Sequence, residues 1–490
     1  MDLDQASFER QLASGTEESF AVAQDIYNQG GHSKSHAVIE LDVALAADLG
    51  KSATITGTAV DGTAITAKTY SAASAGDKTI KIKYTTSDDQ ATYVGCQVGA
   101  LPADEHVTAK CFAPSNTLSI DGLDYTYTYE IVGGNKSGRH LAGFSTSADE
   151  KQLSGCPGCP YKEFKKFYDY YGTSEYAHEY VTAALDGTAT NFQNGDADFS
   201  KYGIDGRTQG AKKGSAYMNV YMYVLREFED AIDDCSVTSI DDNYSSAHAW
   251  DEGVAFYSGT LEGTAGSSSG KMPRALADKR CQDYKTCGNE GDALEGISKI
   301  NYLLNEQFTL GQYNLQTSNC DAVRPIVDRI ADLMSVPMIQ GTLRYAYKVD
   351  KLEGAEKQKA EGAVFMAGVI PRVHACNEED AKIIYDNMRI GATTTDYKKT
   401  KKAFEKNFEC MGVNGALVGG LWNGATNDYY EGAQAKKDKS TDSSGSSGLA
   451  IGLGIGAAAV ALVAIGGIFH MRNREVQGKP VFSPPEASQV

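Results

Sequence analysis

The sequence predicts an α+β multidomain protein: an N-terminal antiparallel β-rich domain, then a mostly α-helical domain, then a single C-terminal transmembrane helix. Three observations predict it. Short alternating runs rich in Thr, Val, Ile and Tyr fill residues 36–150, runs with a helical apolar period fill 155–432, and an uncharged apolar stretch covers 448–469.

Residues 1–35 open with helical spacing (Phe8, Leu12, Phe20, Val22, Ala23, Ile26, Tyr27) that stops at Gly30 and Gly31, a common helix end. The period then changes. Segments 36–43, 53–58, 79–84, 91–95 and 125–131 alternate apolar and polar residues between Asp-Gly and Gly-Asp turns, the rhythm of an antiparallel sandwich or barrel. Cys96 and Cys111 are expected to close a loop within it. After Cys159 the helical runs fall at about 161–185, 207–233, 245–258, 293–316, 321–350, 355–375, 378–389 and 395–409. Residues 433–447 form a polar, flexible stalk, 448–469 are long enough to cross a bilayer as one helix, and 470–490 make a short tail. Gly452 and Gly456 give the span a small-residue face that suits helix pairing, although glycine is common in such spans.

With 64 acidic against 46 basic residues, a formal charge of -18 argues against nucleic-acid binding. The ten cysteines are an even set without zinc-finger spacing, which predicts disulfides and an oxidising compartment. Cys156-Pro-Gly-Cys159 has a redox spacing, yet its proline and glycine and the lack of a surrounding thioredoxin-like pattern read as a stapled connector. Sequons at Asn135 and Asn243 agree with an extracellular, glycosylated body. Met1–Ser7 shows no signal peptide, which taken literally makes a tail-anchored protein with a cytosolic body; the ten cysteines and two sequons argue the other way, so the expectation is that the precursor begins earlier, with the body outside the plasma membrane and the tail open to an endocytic adaptor. The positive-inside comparison does not choose an orientation: Lys436, Lys437 and Lys439 precede the span and Arg472, Arg474 and Lys479 follow it.

Two helical faces carry ligand-type side chains. His248, Asp251 and Glu252 recur at spacings of three and four, as do Glu175, His178 and Glu179 behind a cap at Thr173 or Ser174. Such faces present several oxygen and imidazole donors at once, suited to hard or borderline metals including iron and manganese. The same spacing also suits a core histidine with a partner beside solvated carboxylates. An internal echo links Glu252-Gly-Val-Ala-Phe-Tyr-Ser-Gly to Glu361-Gly-Ala-Val-Phe-Met-Ala-Gly, each after a Gln-Gly…Ala-Tyr segment (209–217 and 340–347). If it marks a duplication, Glu252 and Glu361 face one site; coincidence is the competing reading. The 28 tyrosines offer hard phenolate donors or, more commonly, half-buried packing.

The runs from Phe167 to Ala177, Arg207 to Gly214, Trp250 to Gly263 and Glu361 to His374 resemble, in content and order, the algal low-iron-inducible surface proteins, the phytotransferrins among them. The resemblance covers roughly residues 160–430, and the His-x-Trp-Asp-Glu segment is more faintly similar to imelysin-like proteins. It implies Fe(III) capture at the cell surface with carbonate as a synergistic anion, followed by endocytosis, without catalytic turnover. The candidate metal ligands are then Tyr171, Glu175, His178, His248, Asp251, Glu252, Tyr257 and Glu361. For the carbonate or bicarbonate, Arg207, Thr208, Lys212 and Lys213 stand where a helix begins, although a plain basic surface loop fits that spacing equally. The alternatives are a surface metalloenzyme, such as a ferric reductase component or a metal-dependent hydrolase with Glu252 as base, and an adhesion protein. No flavin or nucleotide loop and no His-Glu-x-x-His motif supports the enzyme.

Overall fold

The computed structural model describes residues 1–32, 35–84, 96–137, 139–237, 244–263 and 269–438. The N-terminal segment folds as two helices, α1 (Asp2–Ser14) and α2 (Glu17–Gln29). Gly15 turns the chain between them at φ 69°, a left-handed conformation that glycine adopts without strain. Thr16 then caps α2 by accepting the Ser19 N–H at 3.1 Å.

Six antiparallel strands follow: β1 (Ser35–Leu41), β2 (Thr54–Thr58), β3 (Ala64–Thr69), β4 (Thr79–Tyr84), β5 (Asn116–Ile120) and β6 (Leu123–Thr128). They run in the order β4-β3-β2-β5-β6-β1, and β1 pairs back onto β4, so the sheet closes into a barrel. Closure removes the free edges that an open sheet would leave. The apolar side of each alternation fills the interior, with Ile39, Ile55, Ile80, Ile82, Leu118 and Ile120 among its buried residues. Asp121 and Gly122, both at positive φ, make the tight β5–β6 turn. A short β7 (Asn135–Ser137) extends β1 and carries the Asn135 sequon. The expected strand at 91–95, the Asn243 sequon, the apolar stretch 448–469 and the tail 470–490 lie outside the described residues. Among the described residues no helix is long and apolar enough to cross a membrane.

Single turns α3 (Ile131–Gly134) and α4 (Gly143–Thr146) lead into the helical body. Its helices are α5 (Lys162–Tyr171), α6 (Tyr176–Asp186), α7 (Ile204–Gly214), α8 (Tyr221–Val237), α9 (Tyr244–Ser258), α10 (Pro273–Tyr284), α11 (Lys299–Gln316), α12 (Val323–Lys351), α13 (Glu356–Ala367), α14 (Ile370–Cys376), α15 (Glu378–Met388), α16 (Tyr397–Asn407) and the short α17 (Gly415–Val418). A π-helical stretch, Ser215–Val220, joins α7 to α8. A two-strand ribbon of β8 (Trp422–Asn423) and β9 (Asp428–Tyr429) follows α17. One buried cluster runs from Phe8 and Tyr27 to Leu421, separate from the barrel cluster, so α1 and α2 belong to the helical core while the barrel is inserted between α2 and α4.

All ten cysteines are paired, as Cys96–Cys111, Cys156–Cys159, Cys235–Cys320, Cys281–Cys287 and Cys376–Cys410. Cys235–Cys320 spans 85 positions and ties the end of α8 to the turn before α12. Cross-linking so long a loop restricts the unfolded chain by about 4–5 kcal/mol in the chain-entropy account.

Candidate functional site

The two predicted ligand faces do not converge. On α9, His248 is exposed at 65% and its Nε2 stands 3.4 Å from Glu252 Oε1, while Glu252 Oε2 accepts Arg139 Nη2 at 2.9 Å. The Glu252 carboxylate is thus neutralised on the surface. Asp251 is held apart, its carboxyl pushed up to about 7 by burial. Trp250 between them is fully buried and donates Nε1–H to Phe308 O at 3.0 Å, anchoring the helix against α11. Tyr257 is buried and its hydroxyl donates to Asn301 Oδ1 at 2.5 Å.

On the other face Glu175 stands at the N-cap of α6, and Glu179 accepts the Thr173 hydroxyl at 2.7 Å. His178 stacks on Tyr27 at 5.8 Å with Nδ1 buried and unpartnered, and burial holds its pKa below the ordinary value. Tyr171 is closed into the aromatic core, donating to Ala367 O at 2.7 Å. Among the described residues no group of three or more His, Cys, Asp or Glu side chains is placed to hold a metal.

The predicted anion residues separate in the same way. Arg207 lays its guanidinium over Phe20 at 4.9 Å and donates to the Ala184 carbonyl at 3.2 Å and to that of Leu185, closing the C-terminus of α6. Thr208 Oγ1 donates to Leu12 O at 3.3 Å, doing the same for α1. Lys212 contributes its carbonyl, which accepts Gln5 Nε2 at 2.9 Å.

Lys213 and Glu361 are the predicted residues that meet from different helices. Lys213 Nζ lies 2.9 Å from Glu361 Oε1 and donates to Gln209 Oε1 at 2.8 Å. Gln209, Lys213 and Tyr217 recur every fourth residue, so α7 and the start of the π-helical stretch turn one face toward α13. Gly362 lets α13 approach α12: a Cβ there would lie 2.9 Å from that of Tyr345. Gly341 does the same for Phe365, whose ring would lie 2.7 Å from an added Cβ. Close approach of the two helices sets Glu361 beside Tyr345, which hydrogen-bonds to it.

Phe365 is the hub. Tyr217 stacks on it at 5.4 Å, Tyr345 at 5.9 Å, and the Arg280 guanidinium lies 6.0 Å from its centroid. Arg280 comes from α10 and is 8% exposed. Its Nη2 pairs with Asp283 Oδ2 at 3.2 Å, while Nε and Nη1 are buried without a partner. Asp283 is shared with Arg344, whose Nε lies 2.9 Å from Oδ1. Burial drives the Lys213 ammonium down to about 8 despite the Glu361 charge. Burial also raises the Glu361 carboxyl, but Lys213 and Tyr345 outweigh it and leave that carboxyl below its ordinary value. Burial and then Glu361 push Tyr345 up to about 12, and burial raises Tyr217.

Chemically the centre combines one carboxylate and two phenols, all hard oxygen donors, with two buried N–H groups aimed at no acceptor. It suits a small oxyanion, and a hard cation that shares that anion. Sequence reasoning missed Arg280, Tyr217 and Tyr345 as site residues; the readable signal was the Gln209, Lys213, Tyr217 spacing within the internal echo. The chain matches no family model, no curated protein and no solved structure.

Proposed function

We propose that this chain is a membrane-anchored cell-surface receptor that captures ferric iron with carbonate as partner anion, for uptake by endocytosis, and that the Lys213–Glu361 centre is where it does so. The observation that carries the reading is the pair of unpartnered N–H groups on buried Arg280, beside Glu361, Tyr217 and Tyr345. A buried guanidinium with N–H groups left free is a charge-assisted donor for one oxygen of a carbonate, and carbonate brings the negative charge that Fe(III) needs. Glu361 and the two phenols supply hard oxygens from the other side, with the phenolic protons released as the metal binds. Lys213 holds Glu361 ionised in the absence of the metal, so binding exchanges one cation for another.

The test is Fe(III) binding by the full-length protein in detergent, with and without bicarbonate. A visible phenolate-to-iron band that requires bicarbonate is expected, weakened in Tyr345→Phe and in Tyr217→Phe. Arg280→Met is expected to remove the bicarbonate dependence. Iron bound with the band intact in both tyrosine variants would move the site elsewhere, and no iron bound at all would end the receptor reading.

A further inference from the structure

A second group of buried carboxylates lies under the end of α9, away from the Lys213–Glu361 centre. Asp278 on α10 is fully buried and Glu262 is 8% exposed. Asp278 Oδ1 accepts the Ser298 N–H and Asn301 Nδ2, each at 2.7 Å, but its Oδ2 has no partner. Neither oxygen of Glu262 has a hydrogen bond of good geometry, although the Gly270 backbone packs so close that a Cβ there would come within 2.3 Å of Glu262 Oε2. The two carboxylates lie in each other's field, and the Tyr257 hydroxyl lies in the field of both. Tyr257 in turn donates to Asn301 Oδ1, so one polar chain links phenol, amide and carboxylate. The cations that face Glu262 are Arg274 and Lys279. Neither pairs with it, and Arg274 Nη1 instead reaches Asn305 Oδ1 at 3.4 Å.

A buried carboxylate short of donors is costly, and two that lie in each other's field repel as well. Asp278 Oδ2 has no donor and Glu262 has only the Gly270 backbone N–H nearby, so both carboxylates have oxygens that a hard cation would satisfy. The geometry points to a site for a hard divalent cation of the Ca²⁺ class, with Glu262 and Asp278 as its anionic ligands and the Asn301 amide oxygen, the Tyr257 oxygen and water completing the shell. Two carboxylates are few for such a site, which places its affinity in the weak range of Ca²⁺ modules, about 10⁻⁴–10⁻³ M. The cation would tie α9, α10 and α11 together at one point. This site does not depend on the ferric reading.

The probe is Tb³⁺, a hard cation whose emission is excited by energy transfer from a nearby tyrosine, added to the full-length protein and competed with Ca²⁺. Sensitised emission that millimolar Ca²⁺ displaces is expected from the native chain. At least tenfold weaker binding is expected in Glu262→Gln, which is the milder change, and in Asp278→Asn. Tyr257→Phe should reduce emission more than it reduces Ca²⁺ protection against thermal unfolding. Emission unaltered in Glu262→Gln, or thermal stability indifferent to Ca²⁺ and to chelator, would overturn the site. The latter result would leave a proton shared between the carboxyls as the occupant.

Discussion

Replacing Glu361 with Gln keeps the side-chain volume at the centre and removes one charge, and the damage it does should depend on pH in a calculable way. Lys213 titrates at about 8 in the native protein and is 14% exposed through its side chain. At pH 7 its charged form is therefore favoured over the neutral form by about one unit, roughly 1.4 kcal/mol, and at pH 6 by roughly 3 kcal/mol. Without the carboxylate, the lysine sheds its proton instead of remaining buried and unpaired. Proton release caps the loss at those amounts, at or below the roughly 3–5 kcal/mol of a trapped buried charge. The sign follows from linkage. A lysine lowered from 10.5 to about 8 binds fewer protons folded than unfolded between those values, so native stability gains from it as pH rises through that window. In Glu361→Gln the window reaches further down, and the stability gap to the native protein should be roughly 3 kcal/mol at pH 6, about half that at pH 7, and absent or reversed at pH 9. Urea unfolding at the three pH values measures it. An equal gap at pH 6 and pH 9 would refute the coupling of Lys213 to Glu361.

Arg207→Ala removes two charge-assisted bonds to the last carbonyls of α6, so it should lower stability by roughly 2–4 kcal/mol in denaturant while leaving anion and iron affinity unchanged. Loss of bicarbonate-dependent binding at unchanged stability would restore Arg207 to the anion site. Asp251 carries a carboxyl raised from 3.8 to about 7 by burial, so the folded chain holds an extra proton between those values and its stability falls as pH rises through them. Asp251→Asn should therefore raise the melting temperature at pH 8 and change it little at pH 4; a variant that is equally or less stable at pH 8 would show that the carboxylate has a partner.

Strands β1, β2, β4 and β6 were legible because a closed sheet with one buried face writes a period of two into the sequence, whereas β3 and β5 were not among the runs read. Closure itself was not, since β1 must pair with both β6 and β4, and no local pattern records that contact. Most helical runs were legible through their apolar stripes, but α10 buries residues on nearly every side, from Ala275 and Leu276 to Asp278 and Arg280 and on to Cys281 and Tyr284. A helix enclosed all round has no polar face to contrast with, so its pattern fades, and with it went Arg280. The even cysteine set led directly to full pairing. The basic run at the start of α7 misled in part: Arg207 and Thr208 satisfy carbonyls at the ends of neighbouring helices, and only Lys213, late in α7, turns inward.

The internal echo takes on a physical meaning in the fold. Glu252 and Glu361 sit on the second arms of two helical pairs, α8 with α9 and α12 with α13, and each is followed by a glycine packed closely against the first arm, at the Phe228 ring for Gly253 and at the Tyr345 Cβ for Gly362. The two carboxylates share no partner and do not face each other. Glu252 is 25% exposed and bound to Arg139, a group that neutralises it in contact with water. Glu361 is 11% exposed and opposed by a lysine that burial has already brought close to giving up its charge. A carboxylate held by an arginine on the surface stays paired at every ordinary pH, because a guanidinium does not deprotonate. One held by a weakened ammonium loses its partner's charge when the lysine gives up its proton. The same local sequence therefore yields a surface ion pair with Arg in one half and a buried pair with a weakened Lys in the other, and the difference lies in depth of burial and in the choice of Lys over Arg.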